Sequence, residues 1–218
     1  MIEVEFKYAI DPQVKPRLEA RLRDAQFDRL VQNSDIYYDT LTYDLLQKAV
    51  FVRVRNQQTL QFKFNEQAEK AHIESTERAF SLSAQAKHTT AINTLFAHFL
   101  PTWQAGLSWE DALQKNKLVV LAHIENTRRQ YIYDSVKLCV DTIAGIGEFL
   151  EVEVECEEGT NTHHLHSHLR RIFGDVVAEP LSVGYVELWL HQHNLQAYHK
   201  GVYRLPDNVE PGKGNMPC

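Results

Sequence analysis

The chain has 218 residues, 44% hydrophobic and 24% charged, which suits one large globular unit and argues against intrinsic disorder. A formal net charge of −6 disfavours a general nucleic-acid binder, because such binding needs Lys and Arg to neutralise many phosphates, and the absence of a long apolar run argues against a membrane span. Cys139, Cys156 and Cys218 form no CxxC pair, so neither a zinc knuckle nor a disulfide framework is expected.

The opening residues run directly into Met1-Ile2-Glu3-Val4-Glu5 with no basic stretch or apolar signal core, so a cytoplasmic location is expected. Residues 2–10 set Ile2, Val4, Phe6 and Tyr8 against Glu3, Glu5 and Lys7, a period of two that predicts a strand. Asp11-Pro12 punctuates it, and Leu18, Leu22 and Ala25 give the next segment a helical stripe up to Phe27. Strands are predicted over 34–40, 50–56, 59–64 and 72–82, with Gln57-Gln58 as a tight hairpin connection. Ile92, Leu95, Phe96 and Phe99 predict a second helix over 84–100, stopped by Pro101. Strands follow over 118–134, 136–142 and 149–156, joined at Asp134-Ser135 and Gly145-Ile146-Gly147. A third helix is expected over 160–173, closed by Gly174. It carries His163, His164, His166 and His168; the i, i+4 pair His164 and His168 lacks any completing carboxylate or HExxH pattern, so a solvated polar face is expected there. Pro and Gly dilute the apolar content from Gly201 onward, so the domain is read as 1–200 and the tail as 201–218.

The count is about eight strands with amphipathic helices between them. Residues two apart on a strand share a face, so Glu3, Glu5 and Lys7 point one way, as do Arg53 with Arg55, Gln61 with Lys63, and Glu151 with Glu153 and Glu155. Any one such face suits exposure to water. Together, however, the signs are segregated by strand, whereas solvated faces mix them to limit like-charge repulsion. If the helices cover the apolar faces, the charged faces turn inward and form a barrel with a polar interior. Clustered carboxylates there need cations, and clustered Arg and Lys need anions. A metal-bound polyphosphate satisfies both.

These residues resemble a known family, the CYTH or triphosphate tunnel metalloenzyme superfamily. Glu3-Val4-Glu5-Phe6-Lys7 matches its ExExK strand, Tyr37-Tyr38-Asp39-Thr40 its YYDT strand, Val52-Arg53-Val54-Arg55 its paired-arginine strand and Leu60-Gln61-Phe62-Lys63 its lysine strand. Asp141 through Glu153, including Gly145-Ile146-Gly147-Glu148-Phe149, is similar to its D…GLGxFxExE segment. The resemblance implies an α+β fold: an eight-stranded antiparallel tunnel with helices packed outside. It implies metal ligation by Glu3, Glu5, Glu151 and Glu153, with Glu77 and Asp141 binding the metal or its waters, and Mg²⁺ or Mn²⁺ as the ion. Glu3 and Glu5 are expected to face Glu151 and Glu153 across that ion.

By the same resemblance, Arg53, Arg55, Lys63 and Arg128 grip the phosphates, with Arg129 as the alternative to Arg128. Lys7 orients the attacking water or contacts the terminal phosphate, placing Lys7 and Glu5 nearest the chemistry. The sequence departs from the pattern at Asn126, where a Lys is frequent, and near Tyr185, where a basic residue is frequent; Lys200 is a candidate replacement. The implied activity is hydrolysis of inorganic, thiamine or nucleoside triphosphate, in the thiamine-triphosphatase-like or inorganic-triphosphatase-like branch. Phe51 is a candidate to stack on an organic ring or to fill the core. The rivals are an adenylate cyclase, a non-catalytic polyphosphate or nucleotide-binding module, and a plain barrel with solvated faces. The partner expected is a small-molecule triphosphate, without nucleic acid or membrane, bound by a monomer or homodimer.

Overall fold

A computed structural model of the protein describes residues 2–65, 74–133, 136–156, 167, 169–171, 173–174, 176 and 179–206, with only the backbone of Ile2, Glu3, Glu74, Gln85, Glu155 and Cys156. Eight strands form one antiparallel ring: β1 (Ile2–Ala9), β2 (Gln26–Asp39), β3 (Val50–Arg55), β4 (Thr59–Phe64), β5 (Glu74–Ser81), β6 (Val119–Tyr133), β7 (Val136–Ile143) and β8 (Gly147–Cys156). Around the ring the order is β1-β5-β4-β3-β2-β6-β7-β8, and β8 returns to β1. That seam is long, running from Ile2↔Cys156 to Ala9↔Phe149. Among the described residues, the β1–β5 seam holds the pairs Glu3↔Ser75 and Val4↔Glu74. Further along β1 the Lys7 carbonyl accepts the Leu181 N–H at 2.7 Å, tying the chain before the C-terminal helices to this strand.

Alternation inverts the barrel as expected. The outward faces of β1, β7 and β8 bury Val4, Phe6, Leu138, Val140 and Val152 under Leu18 and Leu22 of α1 (Lys15–Leu22) and under Leu169 and Phe173. On the other side, Val52, Leu60 and Phe62 lie beneath Ile92 and Phe96 of α2 (Gln85–Phe99) and Trp109 of α3 (Trp109–Asn116). A third apolar cluster closes one end of the barrel, where Tyr37, Phe51, Ile124 and Phe149 meet Val186 and Leu190 of α4 (Tyr185–His193), Tyr198 of α5 (Leu195–Tyr198) and Leu205.

The local differences from the sequence reading have physical causes. β2 starts at Gln26, so Phe27 belongs to a strand and not to the preceding helix, and α1 ends at Leu22. Phe27 is exposed but packs edge-on against Tyr131 of the adjacent strand, a cross-strand contact that outweighs the short helical stripe. Three residues, Asn56-Gln57-Gln58, join β3 to β4; Asn56 and Gln57 are both at positive φ (53° and 56°), and the Gln58 N–H closes the turn on the Arg55 carbonyl at 3.0 Å. The helix expected over 160–173 and its histidines lie largely outside the described residues, as do the start of the strand expected over 72–82, the Asp134-Ser135 turn and the tail after Pro206.

Candidate active site

The strand faces turned inward enclose a cavity of about 190 Å³. Two walls of opposite charge are visible in it. Register places Arg53 of β3 beside Gln61 of β4, and Lys63 of β4 beside Phe51 of β3, with Arg55 one step further along β3. On the other wall, Glu5 pairs with Glu153 and Lys7 with Glu151, because β1 and β8 are neighbours. The ExExK strand and the ExE strand therefore stand side by side, a correction to the expectation that they face one another.

The charges neutralise each other through a continuous lattice. Lys7 Nζ lies 2.7 Å from Glu5 Oε1 and 2.9 Å from Glu151 Oε2, and it sits 4.4 Å from the Tyr185 ring centroid. Lys63 Nζ donates to the other Glu5 oxygen and lies 3.8 Å from Glu77. Arg128 forks onto Asp141, with Nε–Oδ1 and Nη2–Oδ2 both at 2.7 Å, donates Nη1 to Glu153 at 2.8 Å, and also bonds Glu151. Lys137 donates to the second Glu153 oxygen.

Asp35 organises the basic wall. Its carboxylate takes a bidentate fork from Arg55 (2.8 and 2.7 Å) and a bond from Arg53 at 3.2 Å. Arg53 is further fixed by the Gln61 side-chain oxygen at 2.8 Å and Tyr37 OH at 3.1 Å. Asp35 was not singled out in the sequence; its signal is its position two residues before Tyr37, readable only once β2 is registered against Arg55.

The YYDT segment is now explained by structure. Tyr37 holds Arg53, and buried Asp39 accepts the backbone N–H groups of Thr40, Leu45 and Leu46 at 2.7, 3.0 and 2.9 Å, shaping the connection into β3. Burial raises the Asp39 pKa to about 6 against those three bonds.

Environment splits the carboxylates. Glu5 is held well below the ordinary range, because Lys63 and Lys7 outweigh its burial. Glu153 is lowered by Arg128 and Lys137 against its own desolvation. Glu151 moves the other way, to about 8, driven by burial and reinforced by the charge on Glu5. At the closed end Glu187 rises to about 7, again by burial, while its Oε2 accepts the Gly184 N–H at 3.0 Å at the start of α4.

The structure thus brings Glu5, Lys7, Arg53, Arg55, Lys63, Glu77, Arg128, Glu151 and Glu153 to one cavity. Glu3 lies on β1 opposite Glu155, but its side chain is outside the described residues. Asp141 is fully buried behind Arg128, with its oxygens also bonded by Tyr185 OH (2.7 Å) and Asn126 Nδ2 (3.2 Å), so it is not brought into the cavity. Arg129 points outward to Glu19 at 2.6 Å, leaving Arg128 as the interior arginine. Lys200 is exposed and does not line the cavity; Lys137 and Glu187, which the sequence reading passed over, do.

Comparison with known families matches the CYTH domain over residues 1–173. The chain belongs to the CYTH family. Among CYTH-like solved structures, the PH1819 protein of Pyrococcus horikoshii is 18% identical and superposes with a TM-score of 0.63, covering 88% of this chain and 99% of that one. HpAC1 from Hippeastrum, a proposed adenylyl cyclase described as revealing a dominant triphosphatase activity, is 17% identical over 90% of this chain and 98% of that one, with a TM-score of 0.57. A proposed adenylate cyclase from Bacillus halodurans gives 18% identity, 88% and 97% coverage, and a TM-score of 0.53. At these identities the likeness shows the shared fold. Comparison with curated proteins gives no match. Among the described residues no helix is long and apolar enough to cross a membrane.

CYTH enzymes use divalent metals, and the donors here fit such an ion. Glu151, Glu153 and Cys139 bring one ligand atom each within 4.8 Å of one another. Burial pushes the Cys139 thiol up, keeping it protonated, which leaves a set of carboxylate oxygens suited to a hard cation.

Proposed function

We propose that this CYTH protein is a divalent-metal-dependent triphosphate hydrolase, with inorganic triphosphate its foremost substrate and thiamine or nucleoside triphosphates as further candidates. The observation that carries the reading is the interior charge lattice: Arg53, Arg55 and Lys63 on one wall and Glu5, Glu151 and Glu153 on the other, sharing one cavity. The cavity volume of about 190 Å³ supports the ranking, because drug-sized organic ligands occupy pockets of roughly 300–1,000 Å³. A polyphosphate chain suits the smaller, highly charged space.

In this reading Arg53 and Arg55 present planar forks to phosphate oxygens, pre-oriented by Asp35, Gln61 and Tyr37. Arg128 is held in place from behind by Asp141, which acts as a positioning residue. Lys63 neutralises the phosphate from the wall adjoining Glu77. Glu5, Glu151 and Glu153, with Glu3, would hold Mg²⁺ or Mn²⁺, which when bound would supply charge neutralisation and activation of a water. Lys7, wedged between Glu5 and Glu151, is placed to orient that water or to hold the terminal phosphate. Catalysis is then positioning plus electrostatic stabilisation, as phosphoryl transfer requires.

The test is a substrate panel of inorganic triphosphate, thiamine triphosphate and ATP with Mg²⁺ or Mn²⁺, following orthophosphate, pyrophosphate and cyclic AMP together. Metal-dependent orthophosphate release, lost on chelation, is expected. Cyclic AMP with pyrophosphate from ATP would replace hydrolysis by cyclisation, and tight binding without any product would make the protein a binding module.

A further inference from the structure

Among the described residues six cations line the cavity, and five of them belong to the arginine and lysine rows already described. The sixth, Lys137, stands alone on β7. The interior positions of that strand are Lys137, Cys139 and Asp141; the last two are buried, while the Lys137 side chain keeps 38% of its exposure. The other five lining cations are more enclosed, from 6% for Lys7 to 27% for Arg55. Among the described lining residues Lys137 is therefore the most accessible positive charge for an anion entering from solvent.

Its present partner is shared. Glu153 receives Lys137 on Oε2 and Arg128 on Oε1, so one carboxylate serves two cations. Glu153 is also among the carboxylates assigned above to a divalent ion. Any ion taking Glu153 competes directly with Lys137 for the same oxygens, and the flexible four-carbon stem of a lysine lets its ammonium move to another acceptor without moving the strand. On β6, the neighbouring inner row offers Arg128 beside the neutral Asn126, so a second cation in this quarter of the wall has to come from β7.

We propose that Lys137 is a phosphate-binding residue of this cavity, resting on Glu153 in the free protein and passing to a phosphate oxygen of the bound triphosphate. The proposal rests on the triphosphate reading of the site and adds a contact to it. It also predicts a division of labour: removing Lys137 weakens the hold on the anion while leaving Glu153 freer for a metal.

The experiment measures two affinities separately in the wild type, Lys137→Met, Lys137→Gln and Lys137→Arg. Inorganic triphosphate binding is followed by calorimetry in the presence of a chelator, and Mn²⁺ binding is followed by electron paramagnetic resonance in the absence of triphosphate. Loss of a charge-assisted phosphate contact is expected to weaken triphosphate binding about 10-fold in the Met and Gln variants, with Arg restoring most of it. Mn²⁺ affinity is expected to hold or rise. Unchanged triphosphate affinity with weakened Mn²⁺ binding would overturn the proposal, since Lys137 would then merely position Glu153. Failure of the wild type itself to bind triphosphate would overturn the underlying reading of the site, a separate result. Two uncharged replacements guard against one variant folding poorly.

Discussion

The two faces of the same strands are built on opposite principles. On β4, Leu60 and Phe62 point outward and are sealed beneath α2, while Gln61 and Lys63 point inward to the charge lattice. The outer face gains stability from shape and volume. The inner face is held by complementary charges that were costly to desolvate, and such pairs are weak stabilisers relative to apolar packing. The strand alternation thus separates a face that folds the protein from a face that is held ready for ligands.

The comparison can be broken first from outside. Phe62 is fully buried and meets Phe96 at 4.7 Å between ring centroids, so Phe62→Ala is expected to cost about 4 kcal/mol in chemical denaturation while the folded fraction keeps its triphosphate affinity. An interior change should behave differently. Arg128→Met strands the charge on fully buried Asp141 and is expected to cost about 3 kcal/mol along with triphosphate binding. Adding Asp141→Asn should return much of the stability and none of the binding; if both return, the inner face is structural after all.

The smallest effect sharpens the boundary between the two regimes at Glu187, where the α4 cap meets the cavity. Its pKa rises from 4.5 to about 7 by burial, so the folded state favours the protonated carboxyl. The resulting stabilisation is present below pH 4.5, declines as pH rises and is lost above about 7. Glu187→Gln keeps an acceptor for the Gly184 N–H and should flatten that decline, gaining about 2 kcal/mol relative to wild type at pH 8. Parallel stability curves for the two proteins across that window would sink the assignment.

Much of the barrel was legible because alternation in β1, β3, β4 and the Leu150–Glu155 stretch of β8 is strict and the charges there fall on one parity. The paired Arg53 and Arg55 and the Glu151-x-Glu153 pair needed no tertiary information beyond that. Asp35 and Lys137 were hidden for a shared reason: neither has a like-charged residue two positions away on its strand, and its role comes from cross-strand neighbours, Arg55 for one and Glu153 for the other. The helix α4 escaped notice because Val186, Leu188 and Leu190 are all buried together with Glu187, so no polar face reveals a period. For α3 a signal was present in Ser108, whose hydroxyl accepts the Asp111 N–H at 3.2 Å as an N-cap.

The long β8–β1 seam also bears on how the protein folds. Glu5 and Glu153 are about 150 residues apart in the chain, so the acidic wall rests on one of the most non-local pairings in the molecule. The hairpin of β3 and β4 can bring Arg53, Arg55 and Lys63 together from local contacts, early and at small entropic cost. Glu5 meets Glu151 and Glu153 only when the last strand closes on the first. The basic cluster is thus a local product of one hairpin, whereas the acidic cluster exists only in the closed ring.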